Sequence, residues 1–391
     1  MPKLLFILAI LAGFTTNAQS YRKLHQKAIV IDTHNDVLST VSLRGQNLDD
    51  DLKGKTHSDI NRFKQGGVDI QVFSIFCDER FGKDTAFKMA NLEIDSLNAI
   101  ISRNTNRMML VKTPADLELA VKQKKLGCMI GVEGGHMIED SMENLVRLFE
   151  RGARYLTLTW NNSTSWASSA WDETRNPDPS DGLTAFGKDI VRKMNELGMM
   201  VDVSHVGEKT FWDVISTTSK PVIASHSCAY ALCPVPRNLK DDQIRAIGKN
   251  GGVIHLNFYS GFLDSNYQKR KSALLDLHRQ EVDSLKALKK ANWEIEEAII
   301  EKYPAEAEAL RPSVSLLIDH LDHIVKLIGI DHVGIGSDFD GIESSPKPLD
   351  DVAALPLLTK ALRERGYKKK EIKKILGGNF IRVFKANQAA L

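Results

Sequence analysis

Residues 126–135 read Leu126-Gly127-Cys128-Met129-Ile130-Gly131-Val132-Glu133-Gly134-Gly135. The run up to Val132 is apolar, of strand length and without polar alternation, which is how a strand buried on both faces of a parallel sheet reads. It stops at a carboxylate and two glycines, and the glycines let other groups approach the backbone closely. Working outward, comparable runs occur at 28–36, 68–77, 154–161, 199–205, 221–226, 251–259 and 332–338. Between them lie stretches with the apolar spacing of amphipathic helices, at 84–103, 141–152, 183–198, 208–218 and 241–249. Alternating strand and helix implies a parallel sheet. Eight such strands predict an α/β fold, a closed (β/α)8 TIM-like barrel, rather than an open doubly wound sheet. A glycine-rich nucleotide fingerprint after the first strand is missing, which also argues against the open sheet.

The chain has 391 residues, 42% hydrophobic and 26% charged, which excludes a disordered or fibrous protein. Lys and Arg number 52 against 50 Asp and Glu, so there is no global field to hold a polyanion and nucleic acid is not expected as a partner. A chain of this size buries enough apolar surface to need no staple, so a metal site in it reads as chemistry. Lys3 precedes an apolar run from Leu4 to Phe14 and the small-residue ending Thr16-Asn17-Ala18. This predicts a signal peptide over 1–18, a single barrel domain over 19–391, and a secreted or periplasmic protein with no stable membrane anchor. Export permits disulfides, and Cys228 and Cys233 are the pair near enough in sequence to form one. One segment breaks the even spacing. Residues 268–311, between the seventh and eighth runs, are helical and rich in Lys, Glu and Ala, and read as an insertion. It serves either as a lid or dimer contact or as a solvated helical hairpin, with Pro304 dividing it into two helices. Two or three closing helices are expected over 350–386.

Barrel enzymes carry their chemistry at the carboxyl ends of the strands. His34 and Asp36 end the first run, Glu133 the third, His205 the fifth, His226 the sixth and Asp338 the eighth. Any lone histidine among these reads as an ordinary structural residue. Gathered at one barrel mouth, however, these carboxylates need a cation to neutralise them. Imidazole and carboxylate without thiolate suit zinc, with cobalt or manganese as alternatives. The donors outnumber the needs of one tetrahedral ion, so two ions are expected, with Glu133 as the bridge. His136 follows Glu133 closely and reads as a partner to a ligand. His25, His57 and His278 lie in polar context and are expected at the surface, while His255, His320, His323 and His332 lack ligand placement.

The motifs Ile31-Asp32-Thr33-His34-Asn35-Asp36, Gly131-Val132-Glu133-Gly134-Gly135-His136 and Ala224-Ser225-His226-Ser227 resemble the membrane (renal) dipeptidase family of zinc peptidases. Tyr155-Leu156-Thr157-Leu158-Thr159, Arg237-Asn238-Leu239, Asn257-Phe258-Tyr259 and Gly336-Ser337-Asp338-Phe339-Asp340-Gly341 are also similar, in the family's order and across nearly the whole mature chain. The resemblance implies a metallo-dependent hydrolase barrel acting on dipeptides. It implies that His34, Asp36 and Glu133 hold one zinc ion, and that Glu133, His205 and His226 hold the other. Asp338 is then the group that handles the water proton, Arg237 the group that binds the substrate carboxylate, and Trp160 and Tyr259 line the substrate. Relatives in this family are often homodimers, while the residues themselves do not indicate an oligomeric state. Trp160 stands where the animal enzymes carry a histidine thought to stabilise the oxyanion, and an indole cannot supply that charge. Two alternatives therefore stay open: another binuclear amidohydrolase acting on a small amide or lactone, and a catalytically weak metal- or peptide-binding protein.

Overall fold

The computed structural model describes residues 21–177 and 182–388. Its strands are β1 (Ile31–Asp32), β2 (Ile70–Ile75), β3 (Met108–Leu110), β4 (Leu126–Glu133), β5 (Ala153–Thr157), β6 (Met200–Asp202), β7 (Ile223–Ala224), β8 (Val253–Leu256) and β9 (Val333–Ile335). All their pairings are parallel, in the order β1-β2-β4-β5-β6-β7-β8-β9. The two ends of that path meet just beyond the strands. Thr33 N donates to Ile335 O (3.1 Å), Asp338 N to His34 O (3.1 Å) and Asp36 N to Phe339 O (2.9 Å). The result is a nearly closed eight-stranded barrel ringed by helices, built from the eight runs that the sequence predicts.

β3 is an addition that the sequence reading misses. It pairs with β4 from Met108↔Leu126 to Leu110↔Cys128, and β5 takes over that edge of β4 from Ile130 onward. Three residues, one buried and two half-buried, carry too little apolar pattern to stand out.

Inside the barrel, Ile70, Val72, Met129, Tyr155, Met200, Ile223 and Val253 form a core that continues onto Phe380, Val383 and Phe384 of the C-terminal helix (Asn379–Gln388). Met200, Ile223 and Val253 begin their strands, so this helix closes the amino-terminal end of the barrel and leaves the other end for chemistry. Large and small residues alternate across neighbouring strands. A Cβ at Gly131 would sit 2.0 Å from Tyr155 Cζ, and one at Gly334 would sit 2.4 Å from His255 Cδ2. Residue 131 must therefore be glycine if the Tyr155 ring is to cross β4. A larger core fills the space between the sheet and the outer helices. Those helices begin and end where their caps dictate: Ser141 and Thr184 accept from the first-turn amides of Met142–Arg151 and Ala185–Leu197, and Gly152 and Gly198 close them in the left-handed conformation.

The inserted segment forms four helices rather than two: Tyr267–Leu277, Arg279–Ala287, Asn292–Lys302 and Pro304–Leu310. Pro304 starts the last helix instead of dividing a longer one, and Lys289 breaks the chain earlier with a left-handed φ of 56°. The four enclose a small core of their own around Tyr267, Leu274, Val282, Ile295, Ile299 and Leu310. They also reach the neighbouring rim, where Glu297 meets Arg44 at 2.6 Å and Glu294 lies 3.9 Å from Arg80.

Two further expectations need correction. His25 is buried, clamped between Thr359 Oγ1 (2.7 Å) and Gly66 O (2.8 Å), because its polar sequence neighbours say nothing of the helix packed over it. His57 and His278 are only partly exposed; His57 accepts from Asp340 N (3.0 Å), and His278 stacks on Tyr303. Cys228 and Cys233 stay thiols, each turned to a different carbonyl, Asn257 O and Gly261 O. No helix among the described residues is long and apolar enough to cross a membrane. The expected signal peptide lies outside the described residues.

Candidate metal centre

Glu133 ends β4, and the other expected ligands follow their strands by two to four residues, so all of them rise from the carboxyl rim. His205 and Asp338 are turned inward by left-handed backbone, with φ of 65° and 62°. For residues other than glycine that conformation costs about 1–3 kcal/mol each, a strain characteristic of functional positions.

The side chains converge. His34 Nε2 lies 3.3 Å from Glu133 Oε2, 3.4 Å from Asp36 Oδ2 and 3.9 Å from Asp338 Oδ1. On the other side of the same carboxylate, Glu133 Oε1 is 3.0 Å from His205 Nε2 and 3.6 Å from His226 Nε2. The two imidazole nitrogens are 3.0 Å apart. Two overlapping sets of donors close enough to share an ion result: His34 with Glu133 and His226, and His34 with Asp36 and Asp338.

Hydrogen bonding behind the site settles which ring nitrogens face it. Tyr155 gives its single hydroxyl proton to Thr33 O (3.1 Å), so it must accept from His34 Nδ1 (2.9 Å). Ser225 likewise gives its proton to Asp202 Oδ2 (2.6 Å) and accepts from His226 Nδ1 (2.8 Å). Both imidazoles therefore present an Nε2 lone pair to carboxylates, an arrangement that calls for a cation between them. His34 Nε2 and Asp36 Oδ1 are buried without a hydrogen-bond partner. Burial opposes charge on His34, but Tyr155, Glu133 and Asp36 outweigh it and hold its pKa well above the usual value. Burial would likewise raise Glu133, yet the facing His34 and His205 hold it well below the carboxylate range. Burial and Arg237 lower His205 to about 4, and burial with His34 and Arg237 holds His226 well below its usual value, so both stay neutral and able to ligate. Asp338 is pushed well up, by burial and by Asp36 and Glu133 against the pull of His34, and Asn257 Nδ2 holds its Oδ2 at 2.7 Å.

Arg237 stands beside this nest, its Nη2 donating to His226 O (3.2 Å) and its guanidinium over the Phe262 ring at 5.3 Å. Burial lowers its pKa only to about 10, so it keeps its charge at neutral pH. Its Nε has no partner, and no carboxylate among the described residues pairs with it. Trp160 packs on Phe76 (ring centroids 4.9 Å apart) next to Gly134. Tyr259 follows β8, but its hydroxyl is spent on Glu343 Oε1 (2.7 Å) and Lys271 Nζ (3.0 Å). His136 turns its Nε2 to Cys77 O (2.9 Å) instead of to a ligand.

Sequence reasoning overlooks Tyr155, Asp202, Ser225 and Asn257, which orient the ligands and Asp338. Asp202 is buried and accepts from Thr157 Oγ1 (2.6 Å), Ser225 Oγ (2.6 Å), Ser225 N (2.8 Å) and Ser204 N (3.1 Å). The available signal was a carboxylate closing an otherwise apolar strand.

A barrel with imidazoles and carboxylates gathered at the carboxyl rim is the architecture of a metal-dependent hydrolase. The chain belongs to the membrane dipeptidase family, peptidase family M19, whose family model matches residues 18–391. An uncharacterized dipeptidase of Schizosaccharomyces pombe is 32% identical over 387 residues, covering 95% of this chain and 83% of that one. Dipeptidase 3 of Macaca fascicularis is 31% identical over 361 residues, covering 91% of this chain but 64% of its own length. The solved structure of the probable dipeptidase PvdM from Pseudomonas aeruginosa shares the fold with a TM-score of 0.80 at 24% identity, covering 96% of this chain and 100% of that one. The chain is thus a member of a metallo-dipeptidase family.

Proposed function

We propose that this protein is an exported dipeptidase that uses two zinc ions, one held by His34, Asp36 and Glu133 and the other by Glu133, His205 and His226. The observation that carries the reading is a buried, charged guanidinium with no carboxylate partner among the described residues, beside a nest of lone pairs aimed at one carboxylate. Bound there, zinc supplies Lewis acidity and lowers the pKa of water. The remaining work belongs to the chain. Arg237 takes the substrate's free carboxylate, since a planar guanidinium can grip it through two parallel hydrogen bonds. Asp338, oriented by Asn257, accepts the proton of the attacking water and returns it to the leaving amine. The Phe76–Trp160 pair, beside Gly134 at the same rim, offers no charge to an oxyanion. Residues 1–18 support export to the periplasm or medium.

Metal analysis of the purified protein is expected to find two zinc ions per chain, with chelation abolishing dipeptide hydrolysis. Converting the substrate's carboxylate to an amide is expected to lower kcat/KM on the order of 100-fold, about the worth of a lost charge-assisted contact. One ion or none, or equal turnover of acid and amide, refutes the assignment.

A further inference from the structure

The helical insertion is fastened to the barrel mouth through a buried lysine. Lys271, on Tyr267–Leu277, is 2% exposed. Its ammonium contacts Glu296 Oε2 (2.5 Å), Glu343 Oε1 (3.0 Å) and Tyr259 Oη (3.0 Å). These partners come from three places: the insertion's third helix, the loop after β9 and the end of β8. Tyr259 and Tyr267 also donate to Glu343 Oε1, at 2.7 and 3.2 Å. An ammonium is costly to bury, and removing one member of such a group strands the others. The network therefore resists rearrangement.

From Tyr259 the contacts lead into the site. Its ring meets Phe262 edge-on at 4.9 Å, and the Phe262 ring carries the Arg237 guanidinium on its face. Phe262 O accepts from the side-chain amide of Asn238, the residue after Arg237, at 2.8 Å. Among the described residues the Arg237 side chain makes one long hydrogen bond and its Nε makes none, so packing on Phe262 is its main lateral constraint there.

We propose that Lys271 is a positioning residue for substrate capture: by locking Tyr259 and Phe262 to the insertion, it holds Arg237 in the orientation that receives the substrate's carboxylate. This makes the insertion a clamp on one end of the substrate. It rests on the reading of Arg237 as the carboxylate receptor.

The test compares a dipeptide with its C-terminal amide in wild type and Lys271→Met. The variant is expected to keep its metal and its kcat within about twofold, while KM for the free acid rises on the order of tenfold, as a misplaced binding group dictates. The amide's kcat/KM stays unchanged, so discrimination between acid and amide narrows. An unaltered KM in folded variant, or an equal loss for acid and amide, overturns the proposal. If Lys271→Met does not fold, Glu296→Gln, at the half-exposed edge of the network, decides by the same criterion with a smaller KM effect. A wild type that treats acid and amide alike refutes the carboxylate reading itself, before any variant is compared.

Discussion

At the scale of single residues, the metal centre depends on which atom of a ring carries a proton. His34 and His226 are set by partners that each have one hydroxyl proton and have already committed it elsewhere. Tyr155 can serve His34 because residue 131 is glycine and the ring has room to cross β4. Tyr155→Phe should keep the packing and remove the acceptor, leaving His34 free to change tautomer. Metal affinity, measured by competition with a chromogenic chelator, is expected to fall about 10- to 100-fold, the usual cost of losing such a partner. An unchanged affinity would mean that the ring orientation is set by packing alone.

Among the elements, strands and their caps decide where the chemistry sits. Glu133 closes its own strand, the other groups sit two to four residues beyond theirs, and left-handed residues 205 and 338 turn the chain inward. The rim also depends on the short helix Ile60–Gly66, whose N-cap Asp59 accepts from Arg62 N (2.9 Å) and Arg62 Nε (2.6 Å). Burial raises the Asp59 pKa, but the hydrogen bonds and charge of Arg62 outweigh it, so the folded value lies below the ordinary one. A depressed carboxylate contributes stability that is complete above its unfolded pKa, about 3.9, and that is lost as pH falls through the folded value. Asp59→Asn is therefore expected to destabilise by about 3 kcal/mol at pH 7, the scale of a broken buried pair, measured by urea unfolding. The difference between variant and wild type should shrink towards acid pH. A difference independent of pH would assign the effect to the cap hydrogen bond alone.

For the whole molecule, the candidate metal centre draws its donors from opposite sides of the ring, from β1, β4, β6, β7 and β9. Without the proposed ions, carboxylates and lone pairs would face one another, and a ligand bound only by the folded state adds about 4 kcal/mol at a thousandfold excess over Kd. The apo protein is expected to melt roughly 10 °C lower by calorimetry, with recovery on adding zinc. Identical melting of both forms would show that no ion is held tightly. The insertion belongs to this scale as well, since it runs from β8 over the rim to Arg44 and Arg80 and ties loops that are far apart in sequence.

The barrel and its ring of ligand types were legible in the order of residues, because strands buried on both faces are continuously apolar and a polar residue at their end stands out. Residues 126–133 show this directly. The helical insertion was legible as a break in spacing, but its four helices were not, since a charged segment carries little apolar periodicity to mark its turns. Burial of His25, the free thiols of Cys228 and Cys233, the hydroxyls that orient His34 and His226, and the buried place of Lys271 were decided only by the fold. Most of these depend on groups dozens to hundreds of positions away, and even the neighbours Ser225 and His226 are fixed only through the distant Asp202, contacts that leave no trace in the local pattern.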